Sequence, residues 1–144
     1  MSSDDEAGRA AAARHDDLPG WVLNALAADR SALVRAEVAS RPGLPDALVA
    51  VLADPRTEPD PTVLRRMAAH PGIAVRALAL AATADVVALR RLAENPATPR
   101  DALAVLAGHP DPAVHRRARA RIVGAGLDDD ARARLPVGLR AYLT

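Results

Sequence analysis

The sequence predicts an all-α chain: a stack of short helix pairs, about 25 residues to the pair, a period typical of helical repeat arrays. Three observations carry that expectation. Residue types that cap helix N-termini recur at Ser31, Asp60, Asp85 and Asp111, spaced 29, 25 and 26 residues apart. A proline follows eleven residues after three of these caps, at Pro42, Pro71 and Pro96. Between the markers the apolar residues keep helical spacing, and no stretch indicates a strand.

Each unit reads in the same order. The cap side chain accepts an N–H of the first helical turn, and Pro61 and Pro112 occupy the first helical position, where a missing N–H costs nothing. Apolar residues then fall three and seven after the cap: Val34 and Val38, Val63 and Met67, Ala88 and Leu92, Val114 and Ala118. The proline eleven after the cap stops this short helix and pushes its predecessor out of α geometry. Three residues later Pro45, Ala74 or Pro99, with Pro19 one unit earlier, opens a second and longer helix. Its buried stripe runs i, i+3, i+4: Leu23, Leu26, Ala27; Val49, Leu52, Ala53; Leu103, Leu106, Ala107. From the second proline position to the next cap the distances are 12, 15, 11 and 12, which assigns all length variation to one loop, with PRTEP at 55–59 the largest insertion. Helices this short do not persist alone in water, so neighbouring units must bury them.

The two ends depart from the rule. Residues 1–15 are charged and Ala-rich with no apolar period, and are expected to be a disordered tail. Residues 16–123 form four units. Ile122 stands where a stopping proline is due, so the helix from Pro112 is expected to run to about Val123. Residues 124–144 are expected to cap the open end, with Asp128–Asp130 starting a short segment and Leu135, Leu139, Tyr142 and Leu143 covering apolar surface.

Two stretches carry a family likeness: VRAEVASRPGLPDALVAVLADP at 34–55 and ALRRLAENPATPRDALAVLAGHPDPAVHRR at 88–117. They resemble the leucine-rich repeat variant family, with about four repeats over residues 16–121. The resemblance implies a right-handed superhelix, an α-solenoid in which α-helices alternate with short 3₁₀ or α helices and no sheet forms. Ala74, where the second proline is missing, and the longer loop at 54–61 depart from the family's pattern. Some members are associated with an iron–sulfur cluster held outside the repeats; this chain has no cysteine, so that property does not carry over. The repeat defines a shape and supplies no catalytic residues.

Composition narrows the chemistry. Without cysteine there are no disulfides, no thiolate nucleophile and no Cys-held zinc or iron–sulfur centre. His15, His70, His109 and His115 form no i, i+4 pair, so no metal is expected, and no cofactor. Ser31 reads as a cap, and no Gly-x-Ser-x-Gly surrounds any serine. Gly124 and Gly126 lack the preceding strand and third glycine of a dinucleotide loop. Asp128–Asp130 read as a helix start in place of a cation site. The acidic N-terminal segment has no apolar core of the signal-peptide kind, no run is apolar enough to span a membrane, and a cytoplasmic protein is expected.

Charge is uneven. Residues 1–60 hold 6 Arg against 11 acids, and residues 61–127 hold 10 Arg against 4. Counting from the cap, positions five and six are Ala36-Glu37, Arg65-Arg66, Arg90-Arg91 and Arg116-Arg117, so three successive units present arginine pairs at one position. Stacked about 8–10 Å apart, Arg65, Arg66, Arg90, Arg91, Arg116 and Arg117 form a candidate ladder for an acidic protein partner. The leading expectation is a non-catalytic protein-binding module, a monomer or weakly self-associating. A second reading is binding to a nucleic-acid backbone, although the aromatic residues that stack on single strands are missing. A third, a helical-repeat enzyme acting on nucleic acid, needs aromatic wedges, and only Trp21 is on offer. The opposing reading of the ladder is plain solvated surface, partly neutralised by Glu94, Asp101 and Asp111.

Overall fold

Prolines and aspartates divide the chain into short helices. The computed structural model describes residues 3–124, and every regular element among them is helical. The order is α1 (Ser3–Ala13), α2 (Gly20–Ala27), α3 (Ala32–Ala39), α4 (Asp46–Leu52), α5 (Pro61–Ala68), a 3₁₀ turn (Ile73–Val75), α6 (Ala77–Leu80), α7 (Val86–Glu94), α8 (Arg100–Ala107) and α9 (Pro112–Gly124). The expected C-terminal cap at 124–144, including Asp128–Asp130, lies outside the described residues except for the last residue of α9.

The helix signals act largely as their chemistry requires. Asp60 accepts the Thr62 N–H, Asp85 the Ala88 N–H, and Asp111 those of Ala113 and Val114. Helices α3, α5 and α7 end shortly before Pro42, Pro71 and Pro96, whereas α9, with Ile122 in that place, continues through 13 residues. Pro19, Pro45 and Pro99 sit at the N-caps of α2, α4 and α8 with ψ between 147° and 163°. Ser31 departs from expectation: its hydroxyl makes no cap bond, and Asp29, two residues earlier, accepts the Ser31 N–H at 2.9 Å instead.

Three expectations are corrected. The tail is no disordered segment from residue 3 onward: α1 buries Ala10 and Ala13 against the same core as the rest, and it packs on α3. Its apolar side is made of methyl groups alone, which gives too weak a periodic signal to see in sequence. The helices opened by the second proline are not the longer class, since α2, α4 and α8 have 8, 7 and 8 residues and α3, α5 and α7 have 8, 8 and 9. Length variation is also not confined to one loop. The buried triad between α5 and α7 is Ala77, Leu80 and Ala81, matching Leu103, Leu106 and Ala107, so Ile73 stands where Pro99 does and the turn is one residue short. Without a proline to start it, this segment enters through a 3₁₀ turn and restarts after Arg76 as the four-residue α6.

Packing follows chain order. Helix α1 lies on α3, α3 on α5, α5 on α7 and α7 on α9, while α2 touches α4 and α6 touches α8. The core is built on Val34, Val49, Leu52, Val63, Met67, Leu80, Leu89, Leu92 and Leu106, all essentially solvent-free. Each buried leucine contributes about 1.5–3 kcal/mol relative to exposure. Alanines such as Ala36, Ala68, Ala93 and Ala118 fill the remaining buried positions.

Candidate functional site

Neighbouring units are joined by three recurring polar contacts, and these decide which arginines remain available. The first joins an arginine to the start of the next odd-numbered helix. Arg9 bonds Asp29 (2.6 Å), Arg35 bonds Glu58 (2.6 and 3.0 Å), Arg65 bonds Asp85 (2.8 and 2.7 Å) and Arg90 bonds Asp111 (3.2 Å). Each carboxylate also accepts a backbone N–H there, that of Ser31, Asp60, Ala88 or Val114. One acid thereby completes a helix end and ties it to the helix before. The Arg65 bond, against a smaller burial cost, holds Asp85 below the usual carboxylate range. Burial opposes ionisation of Asp29, but the Arg9 and Ser31 bonds together outweigh it and lower its pKa. The Val114 N–H leads in lowering Asp111.

A second contact uses the residue ten after the cap, which precedes the stopping proline in three cases and Ile122 in the last. Arg41 donates to the carbonyls of Ala13 and Asp16, His70 Nε2 to Arg41 O (2.6 Å), Asn95 Nδ2 to Ala68 O and His70 O (2.8 Å each), and Arg121 to Ala93 O and Asn95 O. These four positions are 29, 25 and 26 residues apart, the spacing of the caps. Proline holds its predecessor extended, as at Asn95 (φ −70°, ψ 120°), and its side chain reaches the open carbonyls ending the preceding odd helix. His70 Nδ1 accepts the Gly72 N–H, so one tautomer serves both of its bonds. Sequence alone hides this ladder, because Arg, His and Asn share only their ability to donate.

The third contact pairs position six with position nine of the unit before. Glu37 meets Arg14 at 3.2 Å, Arg66 donates to Ser40 Oγ at 2.7 Å, and Arg117 meets Glu94 at 2.7 Å. At the corresponding step the two positions are Arg91 and Ala69, which line one groove, and the alanine side chain can accept nothing.

The six predicted arginines are therefore divided. Arg65 and Arg90 are bound to helix-starting aspartates, and Arg117 to an exposed glutamate. Arg66 uses only Nη1, toward Ala36 O and Ser40, with Glu37 3.9 Å away. Arg91 and Arg116 are exposed and make no hydrogen bond or ion pair among the described residues. Asp101, one of the expected neutralisers, bonds the Ala102 N–H instead. Arg66 and Arg91 line one groove with Ser40, Pro42, His70 and Pro71, about 330 Å³ in volume. Arg90, Arg116 and Arg117 line another beside Asp111. The first groove adjoins a cavity that shares Ser40 and Pro42 and carries Arg14 and Glu37.

Such a groove suits an anion: two guanidiniums with free donors, one of them anchored, beside rigid proline turns. No group of three or more His, Asp or Glu among the described residues is placed to hold a metal. No described helix is long and apolar enough to cross a membrane. On the even-numbered helices Trp21, Val51 and Val105 project into solvent, Trp21 with 75% of its surface exposed. Comparison with known protein families, characterised proteins and solved structures finds no match.

Proposed function

We propose that this chain is a non-catalytic interaction module, a right-handed α-solenoid of the leucine-rich repeat variant kind, which docks an acidic protein surface on the groove of Arg66 and Arg91. The observation that carries the binding assignment is the Arg91–Ala69 step, where a cation lacks the partner that its counterparts Arg66 and Arg117 have. The solenoid reading is supported by odd helices packing in chain order and by side-chain contacts that recur at the cap spacing. Arg65, Arg90 and Arg117 already have carboxylate partners, and Arg116, which has none, lines the groove that also holds Asp111, so charge abundance alone does not nominate them.

The test is capture of partners by the full chain and by an Arg66→Glu, Arg91→Glu variant, at low and high salt. A specific protein held by the first and lost by the second is the expected result. Identical partner sets overturn the assignment. Nucleic acid retained with an affinity falling about 10³-fold or more between 50 and 200 mM salt transfers the groove to a phosphate backbone.

A further inference from the structure

The spacing of the groove residues narrows the ligand further, on the premise that the acidic-partner reading is right. Arg66, Arg91 and Arg117 occupy the same position on α5, α7 and α9, which pack on one another in that order. Packed helices lie about 8–10 Å apart. A polyproline-type segment has three residues per turn and rises about 3.1 Å per residue, so one face returns every ~9.3 Å. A β-strand returns a face every second residue, about 6.6 Å, and does not match.

We propose that an acidic polyproline-type segment of a protein partner lies along the Arg66–Arg91 groove and runs on to Arg117 in the next groove, with carboxylates at every third residue meeting Arg66, Arg91 and Arg117. Arg91 is the central contact because no carboxylate bonds it: Asp85, the acid that feels its charge, is held by Arg65. Arg66 is positioned by Ala36 O and Ser40 Oγ through Nη1, leaving Nε and Nη2 for the ligand. Arg117 exchanges Glu94, an exposed partner, for the third carboxylate. One step beyond Arg66 stands Glu37, held by Arg14, which sets the limit of the acidic pattern. A ligand residue facing Glu37 is neutral or basic.

Fluorescence anisotropy of labelled peptides with the full chain tests this. One peptide carries four glutamates separated by Pro-Ala pairs, and an isomer of identical composition carries them contiguously. The spaced peptide is expected to bind about tenfold more tightly, the scale of two or three exposed ion pairs gained together. Ala69→Glu, which gives Arg91 the kind of partner that Arg117 has in Glu94, removes that binding, and so does Arg91→Glu. Both positions are exposed, and circular dichroism checks that each variant keeps the helical content of the parent. Glu37→Gln strengthens binding. Equal affinity for the two peptides, still abolished by Arg91→Glu, overturns the three-residue register and leaves the acidic-partner reading standing. Peptide binding indifferent to both Arg91→Glu and Ala69→Glu, or no peptide binding at all, overturns both. A twelve-nucleotide single strand held more tightly than either peptide also overturns both, in favour of nucleic acid.

Discussion

Asn95→Ala is the sharpest test of how the units are held together. The Asn95 side chain is 6% exposed and makes three bonds: Nδ2 to Ala68 O and His70 O, and Oδ1 from the Ala97 N–H. Truncation deletes all three and strands the Ala68 carbonyl at the end of α5 together with one turn N–H, while His70 O keeps the Ile73 N–H. A typical bond contributes about 0.5–1.5 kcal/mol net, and a buried group left unsatisfied costs about 1–3 kcal/mol. Water can enter the vacated space and recover part of that loss, so the expected destabilisation is about 2–4 kcal/mol. For a chain of this length that lowers the melting temperature by about 10 °C. Urea and thermal unfolding followed by far-ultraviolet circular dichroism give the number, with Arg91→Ala as control, expected within about 0.5 kcal/mol of the parent. A loss below about 0.5 kcal/mol for Asn95→Ala would mean that the ladder of position ten is incidental and that apolar stacking alone joins the units.

Other outcomes follow from the same contacts. Glu58 is 2% exposed and holds both Arg35 and the Asp60 N–H, so Glu58→Gln is expected to cost about 2–3 kcal/mol in denaturant titration, short of a fully broken buried pair because Arg35 keeps its bond to Asp29 O. Stability should fall with acid. Asp29, Asp85 and Asp111 have folded pKa values below the usual 3.8, and the Arg56 bonds take Asp54 to about 2. A lowered folded pKa contributes stability that is present above the unfolded value and lost as pH falls through the folded one, here between about pH 5 and pH 2. Asp85→Asn should flatten that decline in urea melts at stepped pH, and an unchanged slope would remove Asp85 from the account. Trp21, exposed on α2, should emit like solvated indole and shift little on unfolding, and Trp21→Ala should leave stability within about 0.5 kcal/mol.

Much of the backbone was legible because it is written in residues with one dominant local effect. Proline fixes φ and removes a donor wherever it stands, so the stops at Pro42, Pro71 and Pro96 and the long α9 were readable. Asp60, Asp85 and Asp111 were readable as caps for a similar reason. What sequence hid was the tertiary use of each charge. Spacing shows that Arg65, Arg90 and Arg116 share a position. It does not show that Asp85 and Asp111 stand within reach of the first two, or that Asp29 and Glu58 do the same work from two residues before the cap. The missing partner of Arg91 is set by a single alanine 22 residues earlier, and only the packing of α5 on α7 makes Ala69 its neighbour. Helix α1 was hidden for the opposite reason, since its buried face is alanine and its exposed face is charge.

The arginines divide into those that join neighbouring helices and those left for a ligand. Two-dimensional NMR of the arginine Nε–H groups during titration with the spaced acidic peptide measures that division directly. Shifts at Arg66 and Arg91, with Arg35, Arg65 and Arg90 unmoved, are the predicted result. Shifts centred on Arg65 and Arg90, or none at Arg91, would contradict it.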